Sequence, residues 1–235
     1  MKVALLRLDG LDVAILAAQV CVSEDMPTEP RPEGLTKALQ AHHDSLLENI
    51  VVSFAIGGIS RVTETQLVRH RMASYAVQSG RYCDRDPSDL NSIVMPRHHL
   101  SPAEVRSFQD ELRVLDERMR TRGTPAEYTR YFYPQGLKTN VIMTCNFREF
   151  SHMCGLRRCK RAQREIRELF DEMANAVKVK LFVDLADHPD LYSELRRRMK
   201  PQCSRLGYCP ETSSCGGMPS LKDLQDAYDE KMGVL

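Results

Sequence analysis

The chain lacks the features that would place it in several common functional classes. No apolar run approaches the roughly 20 residues that a membrane-spanning helix needs, and charged residues interrupt the N-terminal segment too early for a secretory signal peptide. Lys and Arg number 33 against 32 for Asp and Glu, so the molecule has no general positive field for a polyanion. We therefore expect a cytoplasmic protein with neither a membrane nor a nucleic-acid partner, whose basic clusters serve local ligands.

Motifs of nucleophilic catalysis and of structural zinc are missing as well. Neither a Gly-x-Ser-x-Gly elbow nor a Ser-His-Asp arrangement surrounds Ser79. The 8 cysteines are scattered, and several fall in predicted helices, which favours reduced thiols over a secreted disulfide scaffold. The last of them, Cys203, Cys209 and Cys215, are spaced too widely for a Cys-x2-Cys zinc hairpin. We expect free thiols that dock on a neighbouring subunit and no metal, with a zinc site as the alternative.

Composition and turn residues predict one large domain and a short tail. The sequence is 42% hydrophobic and 28% charged, which suits a compact domain with a buried core. Beyond residue 200 the composition changes, because Pro and Gly residues become frequent. We therefore assign residues 1–200 to the domain and 201–235 to a Cys/Gly/Pro-rich tail. The predicted strands are 2–8, 50–56 (ending at Gly57-Gly58) and 138–144, and the predicted helices are 13–20, 35–43, 60–71, 101–123, 124–130 and 146–179, the last interrupted near Gly155.

A cluster of cations, Arg69-His70-Arg71, precedes a segment with short side chains, Ser79-Gly80-Arg81. Guanidinium groups pair bidentately with phosphate oxygens, and small residues let a ligand approach the backbone closely. The two segments therefore indicate an anion site for a dianionic phosphate such as that of a nucleotide. The alternative is that the cations form the solvated end of the helix that begins near Ser60.

A second basic group begins at Asn146, which is placed to cap a helix. The exposed N–H groups of a helix start attract anions. Arg148 and His152 are four residues apart, as are Arg157 and Arg161, so each pair shares one face of a helix. These residues therefore indicate a second ligand contact, whereas the alternative is a basic helix that faces solvent.

The pattern Arg69-His70-Arg71-x7-Ser79, continued by Gly80-Arg81-Tyr82, resembles the signature of the flavin-dependent thymidylate synthase family. The similarity extends to other segments, in the family's order and at about its spacing. They are Phe54–Arg61, Gln66–Val68, Asn146–Arg148, Leu156-Arg157 and Ala162–Ile166. The resemblance covers roughly residues 1–200.

The resemblance implies a fold, an assembly and a reaction. The fold would be α+β, a central sheet with flanking helices, in a homotetramer whose active sites are shared between subunits. The reaction would be the reductive methylation of dUMP to dTMP. The methylene group would come from 5,10-methylenetetrahydrofolate and the hydride from FAD that NADPH has reduced.

The resemblance also assigns site residues position by position. The implied flavin contacts are Ser45, Arg69, His70, Arg71, Val77, Asn146, Phe147, Arg148 and His152. The implied dUMP contacts are Gln66, Leu67, Val68, Arg69, Val77, Gln78, Ser79, Gly80, Arg81, Arg130 and Arg157. Arg157 is the expected catalytic residue, because the matching arginine binds the uracil edge near N3, where a fixed cation activates the base at C5.

Some positions depart from the family pattern. Ala76-Val77 stand where polar residues are common, Gln19 where an arginine is common, and His152 where an asparagine is familiar. These differences affect individual contacts and leave the central signature intact. Two rival functions remain, namely a flavoprotein without catalysis and a nucleic-acid-binding module that uses residues 157–167 and 196–198.

Overall fold

The structure, a computed structural model, describes residues 1–83, 89–95 and 99–232. The chain forms two compact units, of which the first comprises Met1–Ala4 and Ala55–Met143 and the second Leu5–Phe54 and Thr144–Leu235. The strands are β1 (Lys2–Asp9), β2 (Val51–Ser60), β3 (Ala73–Val77) and β4 (Lys138–Asn146). The helices are α1 (Leu11–Val20), α2 (Pro32–Gln40), α3 (Arg61–Leu67), α4 (Pro102–Thr121), α5 (Ala126–Thr129), α6 (Phe147–Arg157), α7 (Arg164–Asp184), α8 (Pro189–Arg198), α9 (Gln202–Leu206) and α10 (Leu221–Met232). Short 3-10 helices occupy Asp44–Asn49, Leu90–Ser92 and Arg130–Phe132.

Helices and a single sheet make an α+β fold, and the strands lie in the order β1-β2-β4-β3. The three predicted strands are confirmed as β1, β2 and β4. The prediction that β2 ends at Gly57 is wrong, because the strand continues to Ser60. Gly58 has a φ of 71°, which glycine adopts without strain, and its N–H donates to Asn140 Oδ1 at 3.1 Å. The glycine pair therefore lies inside the strand.

Aromatic packing forms the core of the second unit. Phe54, Phe147, Phe150 and Phe170 are fully buried. The ring centroid of Phe150 lies 5.2 Å from that of Phe54, 6.2 Å from that of Phe147 and 6.4 Å from that of Phe170. Such offset and edge contacts add to the free energy of burying the rings. The starts of α6 and α7 are thereby anchored in one core.

Helix ends differ from the predicted ones where tertiary contacts intervene. Helix α3 ends at Leu67 and not near Arg71, because the Tyr75 hydroxyl in β3 bonds the carbonyls of Leu67 and His70 at 2.9 and 3.0 Å. Helix α2 begins at Pro32, three residues earlier than predicted, since proline fits the first helical position.

The predicted interruption of the long helix near Gly155 is confirmed, although Gly155 itself lies inside α6, which ends at Arg157. A Cβ atom at this position would lie 2.0 Å from Arg205 Nη2 and 3.7 Å from Gln202 Cβ. The glycine thus lets α9 approach α6 closely, which offsets its low helix propensity. The break between α6 and α7 falls later, at residues 158–163.

Helix α4 confirms its predicted start. The Ser101 hydroxyl accepts the Glu104 N–H, and Glu104 accepts the Ser101 N–H at 2.7 Å, as a capping box requires. Val105, Gln109 and Asp116 are the buried residues of this helix, whereas Phe108 is 46% exposed. Asp116 accepts the Tyr133 hydroxyl at 2.8 Å. Among the described residues, no helix has both the length and the apolar character needed to cross a membrane.

Candidate functional site

The first unit contains an open cavity of about 790 Å³. This volume is within the range of small-molecule sites. Five of the residues expected to contact dUMP line it, namely Val77, Gln78, Ser79, Gly80 and Arg130. Arg61, Tyr131 and Tyr133 line it as well. The structure therefore brings the small-residue segment after β3 together with a cation that lies 50 positions later in the chain.

The segment from Gln78 to Cys83 is held by a short set of hydrogen bonds. The Gln78 N–H donates to Asn140 O at 2.9 Å, and the Cys83 N–H donates to Ser79 O at 3.1 Å. The Arg81 N–H donates to Ser79 Oγ at 3.2 Å. Because Ser79 Oγ accepts this bond, the hydroxyl proton remains available for a ligand in the cavity.

Arg61 joins this segment to the start of α3. Its Nη2 donates to Gln78 O at 3.0 Å, and its Nη1 pairs with Glu64 Oε2 at 3.1 Å. Arg61 had no predicted role. A signal was present, because Arg61 is the first residue of α3, where the helix dipole disfavours a cation.

Arg130 and Arg81 differ in their electrostatic surroundings. Arg130 is exposed, and its Nε donates to Glu127 O at 3.0 Å. Within the described ranges no carboxylate forms an ion pair with Arg130, so its charge is available to an anion. Arg81 pairs with the Glu127 carboxylate at 3.3 Å and does not line the cavity.

The Arg69-His70-Arg71 segment forms the turn between α3 and β3 and does not line this cavity. Arg69 and Arg71 are exposed, whereas His70 is 7% exposed. Its main chain is fixed, because the His70 N–H donates to Leu67 O at 3.2 Å. The two guanidinium groups therefore lie at the surface of this chain on a rigid turn. Gln66, Leu67 and Val68 also lie outside the cavity, and the Leu67 side chain is fully buried.

Other expected flavin contacts lie in the second unit, on α6 and on the turn Asp44–Asn49. Ser45 is exposed on that turn. Glu48, on the same turn, forms an ion pair with Arg148 of α6. His152 is exposed one helical turn after Arg148. Burial raises the pKa of Glu149, and the nearby His152 partly offsets that shift. The structure thus places Ser45, Arg148 and His152 on two neighbouring elements.

Asn146 and Phe147 have structural contacts at the start of α6. Asn146 Oδ1 accepts the Glu149 N–H at 2.8 Å, which confirms the predicted cap. The side chain that the sequence reasoning directed at a ligand therefore bonds its own helix. The Phe147 ring is fully buried and its N–H donates to Ile50 O at 2.7 Å, so neither the ring nor the N–H is exposed to a ligand.

Arg157 ends α6 and is half-buried. The arginines that follow it bond groups of their own chain. Arg158 Nε pairs with Asp171 at 2.7 Å, and Arg161 donates to Ser213 O. Arg167 donates to Lys160 O at 2.9 Å. The basic helix that the nucleic-acid hypothesis requires is therefore interrupted, and its cations have local partners.

The second basic run, at 196–198, ends in a buried arginine. Arg198 is 3% exposed, and its Nη2 donates to Asp44 Oδ1 at 2.7 Å and to Leu39 O at 2.6 Å. Its Nη1 pairs with Glu194 at 2.7 Å. Because a buried charge requires such partners, Arg198 is a structural residue. It offers no surface charge to a polyanion.

The cysteines are all free. Cys159, Cys203, Cys209 and Cys215 line a narrow cavity of about 30 Å³. Among the described residues, no three His, Cys, Asp or Glu side chains are placed to hold a metal ion. The remaining buried thiols belong to the core, where burial raises the pKa of Cys145 and of Cys154 to about 12.

The sequence is similar to one family of proteins over most of its length. A family model described as "Thymidylate synthase complementing protein" matches residues 6–181. A protein named flavin-dependent thymidylate synthase from Thermococcus onnurineus is 38% identical over 183 residues, which cover 75% of this chain and 71% of the relative. One of the same name from Geobacter sulfurreducens is 33% identical over 238 residues, which cover 95% of this chain and 97% of the relative.

Solved structures share the fold at lower identity. Thymidylate synthase X from Helicobacter pylori, crystallised with FAD and dUMP, aligns with a TM-score of 0.65 and 21% identity over 85% of this chain and 99% of that chain. The UMP/dUMP methylase PolB from Streptomyces cacaoi, bound with 5-Br dUMP, aligns with a TM-score of 0.64 and 21% identity over 85% and 97%. The arrangement of helices and sheet is therefore common to these proteins and this chain.

Proposed function

The chain belongs to the flavin-dependent thymidylate synthase family, and on that premise we propose that it converts dUMP to dTMP with FAD as its cofactor. We further propose 5,10-methylenetetrahydrofolate as the methylene donor and NADPH as the reductant. The observation that carries the proposal is the cavity wall formed by Ser79, Gly80 and Arg130. These residues belong to the expected dUMP set, and their chemistry suits a phosphate.

The phosphate of dUMP is assigned to this wall. Arg130 supplies a cation without a carboxylate partner in the described residues, and the Ser79 hydroxyl supplies a donor. Gly80 is a neighbour of Arg130, because a Cβ there would lie in ordinary contact, 3.6 Å from Arg130 Cδ. Charge-assisted hydrogen bonds from such groups are stronger than neutral ones.

Exposed cations suit the anionic pyrophosphate of FAD. Arg69 and Arg71 lie at the surface on a fixed turn, and Arg148 and His152 lie at the surface of α6. When bound, FAD supplies the hydride chemistry. The remaining expected contacts are Ser45, His70, Val77, Asn146 and Phe147, of which Phe147 has a buried ring and a bonded N–H.

Arg157 is assigned to the uracil ring. A guanidinium beside the edge of the base favours its polarised or deprotonated form and so raises the reactivity of C5. Half-burial at the end of α6 suits this role, because a cation that is partly removed from water acts more strongly on its neighbour.

We also propose that the enzyme is a homotetramer with active sites shared between subunits. Surface exposure of Arg69 and Arg71, whose main chain is nevertheless fixed, supports the idea that a ligand and a second subunit cover them. The family model ends at residue 181, and the assignment of 1–200 as the domain and 201–235 as a tail stays a prediction.

Turnover of dUMP tests the proposed function and separates it from a flavoprotein without catalysis. Purified full-length protein, supplied with FAD, NADPH and 5,10-methylenetetrahydrofolate, is expected to form dTMP, which chromatography measures. Arg157→Ala should retain FAD and the oligomeric state and lose dTMP formation by roughly 10²-fold or more.

Arg113→Ala is the matched control, because Arg113 is an exposed arginine of α4 that pairs with Glu117, and it should form dTMP at the wild-type rate. Wild-type protein that binds FAD without forming dTMP would identify a flavoprotein without catalysis. Near-normal turnover by Arg157→Ala would remove Arg157 from the mechanism.

A further inference from the structure

We propose that Arg61 is a positioning residue that holds the segment from Gln78 to Arg81 in the shape that receives the phosphate of dUMP. This inference rests on the proposed function, since it takes dUMP as the ligand of the cavity. Arg61 acts through the main chain of the segment, whereas Arg130 contacts the phosphate itself.

The geometry shows how Arg61 can do this. Its main-chain N–H donates to Leu137 O at 3.1 Å, which fixes the residue at its base. Its guanidinium then joins two elements, through Glu64 Oε2 at 3.1 Å on α3 and Gln78 O at 3.0 Å on the segment. A planar group with several donors can make both bonds at once. The Gln78 carbonyl is therefore tied to the rigid start of α3.

Gly80 lies beside both arginines of the wall. A Cβ atom at this position would lie 3.6 Å from Arg61 Nη2 and 3.6 Å from Arg130 Cδ. The main chain of the segment thus passes close to the Arg61 guanidinium. A change in the position of Arg61 would move the main-chain groups nearest to Arg130.

Arg61 and Arg130 differ in whether a carboxylate neutralises their charge. The Glu64 carboxylate partly neutralises Arg61, and the side chains of both are largely buried. Arg130, by contrast, has no ion-pair partner in the part of the chain that the structure describes. A dianion gains more from a cation whose charge is not already paired. Arg130 therefore contacts the phosphate directly, whereas Arg61 holds the segment from Gln78 to Arg81 in position.

Amide hydrogen exchange in the ligand-free protein tests the inference. In wild-type protein the Arg81 and Cys83 amides are held by Ser79. Arg61→Lys keeps the charge but replaces the planar fork, whose Nη1 and Nη2 face Glu64 and Gln78 O separately, with a single nitrogen. We expect this variant to exchange these amides about tenfold faster and to bind dUMP about tenfold more weakly.

Arg130→Ala is the comparison variant, and it should weaken dUMP binding while exchange at residues 78–83 stays at the wild-type rate. Glu64→Gln loosens the same anchor from α3 and should accelerate the same amides to a smaller extent, so the test does not depend on the folding of one variant. Wild-type exchange in both Arg61→Lys and Glu64→Gln would overturn the inference. Failure of wild-type protein to bind dUMP would instead count against the proposed function, because the exchange comparison uses no ligand.

Discussion

At the scale of single residues, the bonding partners of an arginine distinguish a structural residue from a candidate ligand contact, whereas its spacing in the sequence does not. Arg158 and Arg198 bond carboxylates and carbonyls of their own chain, and Arg198 reaches Asp44 across 154 positions. Arg69, Arg71 and Arg130 remain exposed. Sequence spacing could not separate these groups, because a contact between distant positions depends on the whole fold. Contacts with anionic ligands are therefore proposed for the second group, and a role in stability for the first.

Two buried thiols predict a pH dependence of stability. Burial is the largest cause that raises the pKa of Cys145 and Cys154 from 9.0 to about 12. The ionised thiol is thus favoured only in the unfolded chain above about pH 9. The free energy of unfolding should stay constant with respect to these groups below that pH. It should then fall toward pH 12 by about 1 kcal/mol per pH unit for each thiol.

Urea unfolding between about pH 8 and pH 10 measures this dependence. Cys154→Ala should reduce the slope by the contribution of one thiol. Cys215→Ala, which changes an exposed cysteine, is the control and should leave the slope unchanged. A slope in Cys154→Ala equal to that of the wild type would show that Cys154 does not titrate as its burial requires.

At the scale of helices and strands, starts were easier to predict than ends. Ser60, Ser101 and Asn146 each cap the helix that their position in the sequence predicts, because a cap is a contact within three residues. The end of α3 depends on Tyr75, a residue in the next strand. The continuation of β2 past Gly57 depends on Asn140 in β4. A local sequence pattern cannot predict these contacts, because the partners lie on other strands.

The cap of α6 carries a measurable share of stability. Asn146→Ala removes the acceptor for the Glu149 N–H and should lower the free energy of unfolding by about 1 kcal/mol. Asn146→Asp keeps an acceptor and should recover most of this loss. Denaturant unfolding measures both, and equal losses in the two variants would show that the cap contributes nothing.

Asn175→Ala provides the matched control for this comparison. Asn175 is an exposed asparagine inside α7, where it caps no helix start, and its replacement should change stability by a few tenths of a kcal/mol at most. Because α6 also carries Arg148, His152 and Arg157, a frayed start would in addition reduce the affinity for FAD.

At the scale of the whole molecule, the sequence was sufficient to identify the family, whereas its site residues stay predictions. The signature from Arg69 to Ser79 predicted one anion site, and the α+β fold followed from the resemblance. The structure places Ser79 in the cavity and the three cations of the signature outside it. It also adds Arg61, whose bond to Gln78 O joins positions 17 residues apart. Spacing alone does not reveal that contact, because the intervening turn and strand must first fold.

The expected flavin contacts show why the proposed assembly matters. Arg69, Arg71, Arg148 and His152 are all at the surface, although a functional role would normally require a cavity that excludes water. The proposed tetramer accounts for this exposure, because a neighbouring subunit would supply the missing walls. The assembly and its shared sites stay predictions.

The central claim is that one protein binds FAD and dUMP in contact with each other, and the absorbance spectrum of the purified full-length protein tests it most directly. We predict a yellow protein whose flavin bands shift when dUMP is added. The bands should not shift when deoxyuridine is added at the same concentration, because the cavity wall formed by Ser79, Gly80 and Arg130 binds the phosphate that deoxyuridine lacks. A colourless protein that does not take up added FAD, or flavin bands that saturating dUMP leaves unchanged, would contradict the account.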